Sequence, residues 1–215
     1  MYFFVYIIFI VISFLAGITL YFRQGTDRYL RLFPIFLLVT IIIEIVAYYW
    51  RTKGEYPTIL YNLFTSFEFL FYTYALREIV YNQRVKKIFF HASWLYLVVV
   101  IVNFLFVQKT SSFNSVTYAL GSLLTVAGSI YYFYEQFQLS QSINLARQPA
   151  FWICSGLLFY YCCSFPVYGP LNFIRKAPYI IQKNLYVIVF LLNVFLYSSF
   201  TIAFLCRLRI KKSTS

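Results

Sequence analysis

The chain has 215 residues, 62% of them hydrophobic, 24% aromatic and 11% charged. Soluble domains run about a quarter charged, and a water-facing surface does not absorb 26 Phe, 22 Tyr and 3 Trp, so a soluble globule is excluded and lipid is the expected solvent. The net charge is +12, but the mean hydropathy of +0.74 is foreign to a basic nucleic-acid module, so the basic excess is read as membrane topology and no nucleic-acid partner is expected.

A spanning helix needs about 20 mostly apolar residues. Seven such runs occur: Met1–Phe22, Leu32–Trp50, Ile59–Leu76, Ile88–Val107, Val116–Phe137, Ala150–Tyr168 and Leu185–Cys206. The expected fold is all-α, a single polytopic domain over residues 1–215 built as a seven-helix transmembrane bundle. The runs leave 73 residues for all loops and both ends, too few for a soluble catalytic domain of about 50 residues beside the connections.

In the first run neither a basic leading segment nor a small-x-small site appears, so no cleavable signal is expected. The second carries Glu44, six residues before Trp50 and so about 9 Å from that end. The third places Tyr61, Thr65, Glu68 and Tyr72 on one helical face, widened by Asn62 and Ser66. In the fourth, the single histidine, His91, follows Lys86 and Lys87. The fifth has a small-residue face of Gly121, Ser122, Thr125, Gly128 and Ser129, the kind that admits a neighbouring backbone closely. The sixth contains Pro166, which removes a helical hydrogen bond and predicts a kink there. The seventh repeats Asn193, Tyr197 and Thr201 on one face, with Tyr186 before them. Glu68 and Asn193 each lie nine residues past Ile59 and Asn184, which predicts similar depth.

Pro34, Pro57, Pro149 and Pro178 suit first-turn positions, where the missing N–H costs nothing. Glu78 and Glu135 lie near helix ends, within expected reach of Arg or headgroups. Lys and Arg gather on the cytoplasmic side of membrane proteins. With the N-terminus outside, twelve basic residues fall inside (Arg23, Arg28, Arg31, Arg77, Arg84, Lys86, Lys87, Arg147, Arg207, Arg209, Lys211 and Lys212) and six outside (Arg51, Lys53, Lys109, Arg175, Lys176 and Lys183). The expected location is the cytoplasmic (inner) membrane, multi-pass, with the C-terminus cytoplasmic.

Several chemistries are disfavoured. One histidine and four scattered cysteines, Cys154, Cys162, Cys163 and Cys206, give no metal or disulfide framework. Gly-x-Ser-x-Gly, His-Glu-x-x-His and paired-aspartate protease motifs are missing, as are Gly-rich phosphate loops. No enzyme, cofactor or metal is expected.

The segments Ser66-Phe67-Glu68-Phe69-Leu70-Phe71-Tyr72, Phe151 to Tyr161 (FWICSGLLFYY) and Leu192-Asn193-Val194-Phe195-Leu196-Tyr197-Ser198 resemble those of small bacterial seven-span proteins, and that group resembles the seven-helix membrane input modules of sensor histidine kinases. The resemblance implies signalling, and with no kinase or other output domain in this chain it implies a separate partner protein. A second pattern pairs Pro34-Ile35-Phe36 with Pro149-Ala150-Phe151, and Pro57-Thr58-Ile59-Leu60 with Pro178-Tyr179-Ile180-Ile181. It resembles the three-plus-one-plus-three duplication of small SWEET and PQ-loop transporters, although the Pro-Gln dipeptide is absent and Gln148-Pro149 has the reverse order.

The resulting expectation is a non-enzymatic sensor or accessory signalling module taking a small or lipid-like ligand. Glu44 and Glu68 would bind a cation or polar head, with Asn62, Tyr72, Asn193 and Tyr197 around it and Pro166 as hinge. The basic inner loops would meet anionic lipid or a membrane-associated signalling partner. The alternatives are a small secondary transporter and a structural subunit of a membrane complex, in which the polar groups only join helices. Topology is checked by labelling intact cells or spheroplasts: a cysteine placed at Lys53, Lys109 or Lys176 should react with an impermeant reagent, and one at Lys86 or Arg209 should not.

Overall fold

Surrounded by lipid, a long apolar segment can satisfy its backbone N–H and C=O groups only internally, so it folds as a helix. In the computed structural model, which describes residues 2–23, 25–108, 112–138, 144–169 and 179–210, that is what the apolar runs do. The helices are α1 (Tyr2–Tyr21), α2 (Arg28–Thr52), α3 (Thr58–Ile79), α4 (Gln83–Val102), α5 (Ser115–Gln138), α6 (Pro149–Tyr168) and α7 (Tyr179–Ile210). A π-helical turn, Asn103–Val107, continues α4, a short 3₁₀ turn, Leu145–Arg147, precedes α6, and no strand occurs among the described residues. Met1, Lys109, Arg175, Lys176, Pro178, Lys211 and Lys212, which entered the expectations above, lie outside the described residues.

Six helices are long and apolar enough to cross a membrane, which makes this a membrane-type helical bundle. The exception is α3, and its side chains explain why. Asn62, Ser66, Tyr72 and Thr73, which lower its hydropathy, are buried against protein, and the charged Glu68, Arg77 and Glu78 are half-buried.

The packing closes a ring. α1 lies against α2 and α7, α7 against α6, α6 against α5, α5 against α3, and α3 against α2. α4 packs on α3 from outside the ring and exposes Ile88, Leu95, Val98 and Leu105, as a lipid-facing helix should. The ring interior is aromatic. Phe36 stacks on Phe71 at 4.4 Å, Phe33 meets Phe200 edge-on at 5.1 Å, and Phe69 meets Tyr118 at 5.5 Å.

Glycine sets the closest approaches. A Cβ on Gly121 would lie 2.3 Å from the Phe69 ring, and one on Gly128 would lie 2.9 Å from both Leu76 and Phe89. The small-residue face of α5 therefore receives side chains of α3 and α4. Gly156 of α6 likewise admits Ser199 of α7.

One local expectation is corrected. α2 starts at Arg28, so Pro34 stands inside the helix rather than in its first turn. Gly17 makes this tolerable, because its bare Cα leaves room for the Pro34 ring, whose Cγ would lie 3.1 Å from a Cβ there. Glu135 stands near the end of α5. Its carboxylate accepts the backbone N–H groups of Tyr81 and Asn82, both at 2.8 Å, and so places an anion at the N-terminus of α4, where the helix dipole favours it.

Gly121→Ala should force Phe69 from its site and lower stability by about 1–3 kcal/mol. Thermal melting in detergent checks this, and adding Phe69→Leu to Gly121→Ala should recover part of the loss.

Candidate functional site

One end of the ring is hollow. A cavity of about 360 Å³ opens where α1 begins, beside the 88%-exposed Tyr56 of the α2–α3 loop. It runs inward to Glu68, the eleventh of the 22 residues of α3. Such a volume falls at the small end of ligand pockets, about 300–1,000 Å³.

Each wall follows from helical spacing. α3 contributes Tyr61, Thr65 and Glu68, and α7 contributes Tyr186, Asn193 and Tyr197. Tyr6 of α1, Glu44 and Arg51 of α2, and Tyr160 and Tyr168 of α6 complete it. Twelve of the twenty described lining residues are aromatic, so the wall is a set of π faces interrupted by a few polar atoms.

Glu44 is held by three neighbours near the mouth. Tyr6 Oη donates to its Oε1 and Tyr61 Oη to its Oε2, each at 3.2 Å. Arg51 Nη2 lies 3.8 Å from Oε2, and the same guanidinium sits over the Phe3 ring at 5.6 Å. Both oxygens of this carboxylate are thus engaged, and its charge is countered.

Glu68 is placed differently. Tyr72, one turn further along α3, donates to its Oε1 at 3.1 Å, and no described residue donates to Oε2. Below it the ring interior is closed by Tyr72, Tyr161, Phe69, Phe33 and Phe200, all under 2% exposed. The buried Tyr161 hydroxyl lies near the Glu68 carboxyl and makes no hydrogen bond to a described residue.

Glu44, Glu68, Asn193 and Tyr197 therefore line one cavity, whereas Tyr72 sits in its floor and acts through Glu68. Asn193 Nδ2 donates to the Val189 carbonyl at 2.9 Å, which leaves Oδ1 as an acceptor. Asn62 is not on the lining. Its Nδ2 donates to Ser112 O at 2.9 Å and its Oδ1 accepts from Asn114 N at 3.0 Å, so it pins the loop ahead of α5. Pro166 is exposed and off the lining, and α6 continues past it to Tyr168. Two residues along, Tyr168 reaches the cavity. Thr201 donates to Tyr197 O within its own helix.

Sequence reasoning missed most of the aromatic wall, including Tyr6, Tyr118, Tyr160 and Tyr168. The available signal for Tyr6 was a Tyr set inside the apolar run of α1 rather than at its ends, where Tyr2 and Tyr21 stand. Among the described residues no cluster of His, Cys, Asp or Glu could hold a metal ion. No family model, curated protein or solved structure matches the chain.

The Glu68 contacts yield a stability prediction. Glu68→Ala leaves the Tyr72 hydroxyl without an acceptor and should cost about 1–3 kcal/mol, while Glu68→Gln keeps a carbonyl acceptor and should melt close to the parent. Equal melting of all three in detergent would remove Glu68 from any buried network.

Proposed function

We propose that all seven helices span the cytoplasmic membrane with the N-terminus outside, and that the protein is a non-enzymatic sensor or accessory module. It receives a small ligand from the outer side and reports it to a separate partner at the inner face. The observation that carries this reading is the cavity itself, open at one end of the bundle and ending at mid-bundle on Glu68 above a closed aromatic floor.

The charge distribution supports the orientation. Arg28, Arg77, Arg84, Lys86, Lys87, Arg147 and Arg207 stand at helix ends opposite the cavity mouth, with Arg51 and Lys53 on the mouth side. That is the asymmetry expected with the mouth outside.

A route from cavity to inner face runs along α6 and α7, which both contribute to the lining. At the far end the Leu145–Arg147 turn touches both helices: Trp152 Nε1 of α6 donates to Ala146 O at 2.9 Å, and Cys206 Sγ of α7 lies 3.5 Å from the same oxygen. A relative shift of α6 and α7 at the cavity would move this turn and its Arg147. Pro166, which cannot donate to the turn before it, is the hinge that lets the outer part of α6 move.

A cavity-filling substitution mimics occupancy without a known ligand. Asn193→Trp should change backbone hydrogen–deuterium exchange over residues 144–152 in reconstituted membranes, and adding Pro166→Ala should blunt that change. A folded Asn193→Trp protein with parental exchange there would refute reporting to the inner face. Accumulation of a cavity ligand inside sealed vesicles would place the protein among transporters instead.

A further inference from the structure

The ligand class can be read from what the cavity wall leaves unsatisfied. This step rests on the cavity being the receiving site proposed above. We infer that it binds a small protonated amine with an apolar body, its N–H groups directed at Glu68 and Asn193.

Charge comes first. Two carboxylates, Glu44 and Glu68, face one base, Arg51, among the described lining residues. Arg51 is at the rim and is committed to Glu44. No described basic residue pairs with the deep carboxylate, so an anionic ligand would meet repulsion where a cation would be held. A monocation balances the site.

Hydrogen bonding then narrows the cation. Among the described residues, none donates to Glu68 Oε2 and none to Asn193 Oδ1, whose amide nitrogen gives one N–H to Val189. The Thr65 hydroxyl spends its proton on the Tyr61 and Asn62 carbonyls, at 2.9 and 3.2 Å, so toward the cavity it too can only accept. These three groups all lack a donor. An ammonium carrying N–H bonds supplies donors, whereas a bare metal ion or a quaternary ammonium has none.

The aromatic wall selects the rest of the molecule. Tyr and Phe faces attract organic cations by their quadrupoles and accommodate apolar carbon, while an inorganic cation prefers a shell of oxygens.

The test uses the full chain in lipid nanodiscs and isothermal titration calorimetry, with empty nanodiscs subtracted. Phenethylamine should bind saturably, with a Kd of about 1 mM or tighter. The neutral 2-phenylethanol and the anion phenylacetate should bind at least tenfold more weakly, roughly the worth of one charged hydrogen bond. Glu68→Gln should lose about tenfold in amine affinity, and Asn193→Leu should lose several-fold while retaining the preference for amine over alcohol. Equal binding of amine and alcohol, or displacement of the amine by NaCl with choline chloride ineffective, would overturn the assignment. Absence of saturable amine binding would do the same. None of these outcomes touches the exchange response of Asn193→Trp, so the ligand class and the receptor reading can fail separately.

Discussion

Lipid supplies no hydrogen bonds, so the polar flank of α3 has to be covered by protein, and the positions of the other helices follow from that requirement. Ser66 and Thr73 return their hydroxyls to carbonyls one turn back, at 2.8 and 2.7 Å. Asn62 reaches across to the loop before α5. α5 can come close enough to close that side because Gly121 and Gly128 make way for Phe69, Leu76 and Phe89. α2 covers another side through the Phe36–Phe71 stack.

Tyrosine and phenylalanine make both the floor and the cavity wall. Below Glu68 the rings interlock edge to face and exclude solvent. Toward the mouth the same residue types present their faces to an open volume. Tyr72 belongs to both regions, with its ring in the floor and its hydroxyl on Glu68. This shared residue ties the stability of the floor to the orientation of the carboxylate, so the geometry of the site is held by core packing rather than by a loop.

α6 and α7 join the two ends of the molecule. They pack closely where Gly156 admits Ser199 and meet again through the Ala146 carbonyl. The α1–α2 connection is fastened to the same end of α7: Arg207 donates to Gly25 O, and Arg23 donates to Leu208 O at 3.2 Å. Movement at the cavity therefore has a packed path to a basic surface. The dense aromatic interior makes such a path rigid along its length and sensitive to small displacements at one end.

Helix positions were legible in the sequence because they depend on local properties. A run of apolar residues in lipid must satisfy its own backbone, so apart from Met1 and Phe22 each expected run falls within an observed helix or its π-helical continuation. Constant rise turns residue number into distance, which is how the sequence could bring Glu68 and Asn193 toward one region, and both residues line the cavity. What helical spacing could not decide was which flank of each helix meets which neighbour. Tyr61 and Asn62 are adjacent in sequence, yet one faces the cavity and Glu44 while the other turns to the loop before α5. Pro34 looked like a helix start because nothing local revealed the Gly17 gap on α1 that accommodates it, and the backbone partners of Glu135 were not legible because they are more than fifty residues away. The cavity wall combines residues from α1, α2, α3, α5, α6 and α7. Its existence was decided by tertiary packing, because a volume between helices is a property of how they are arranged around one another and of no single segment.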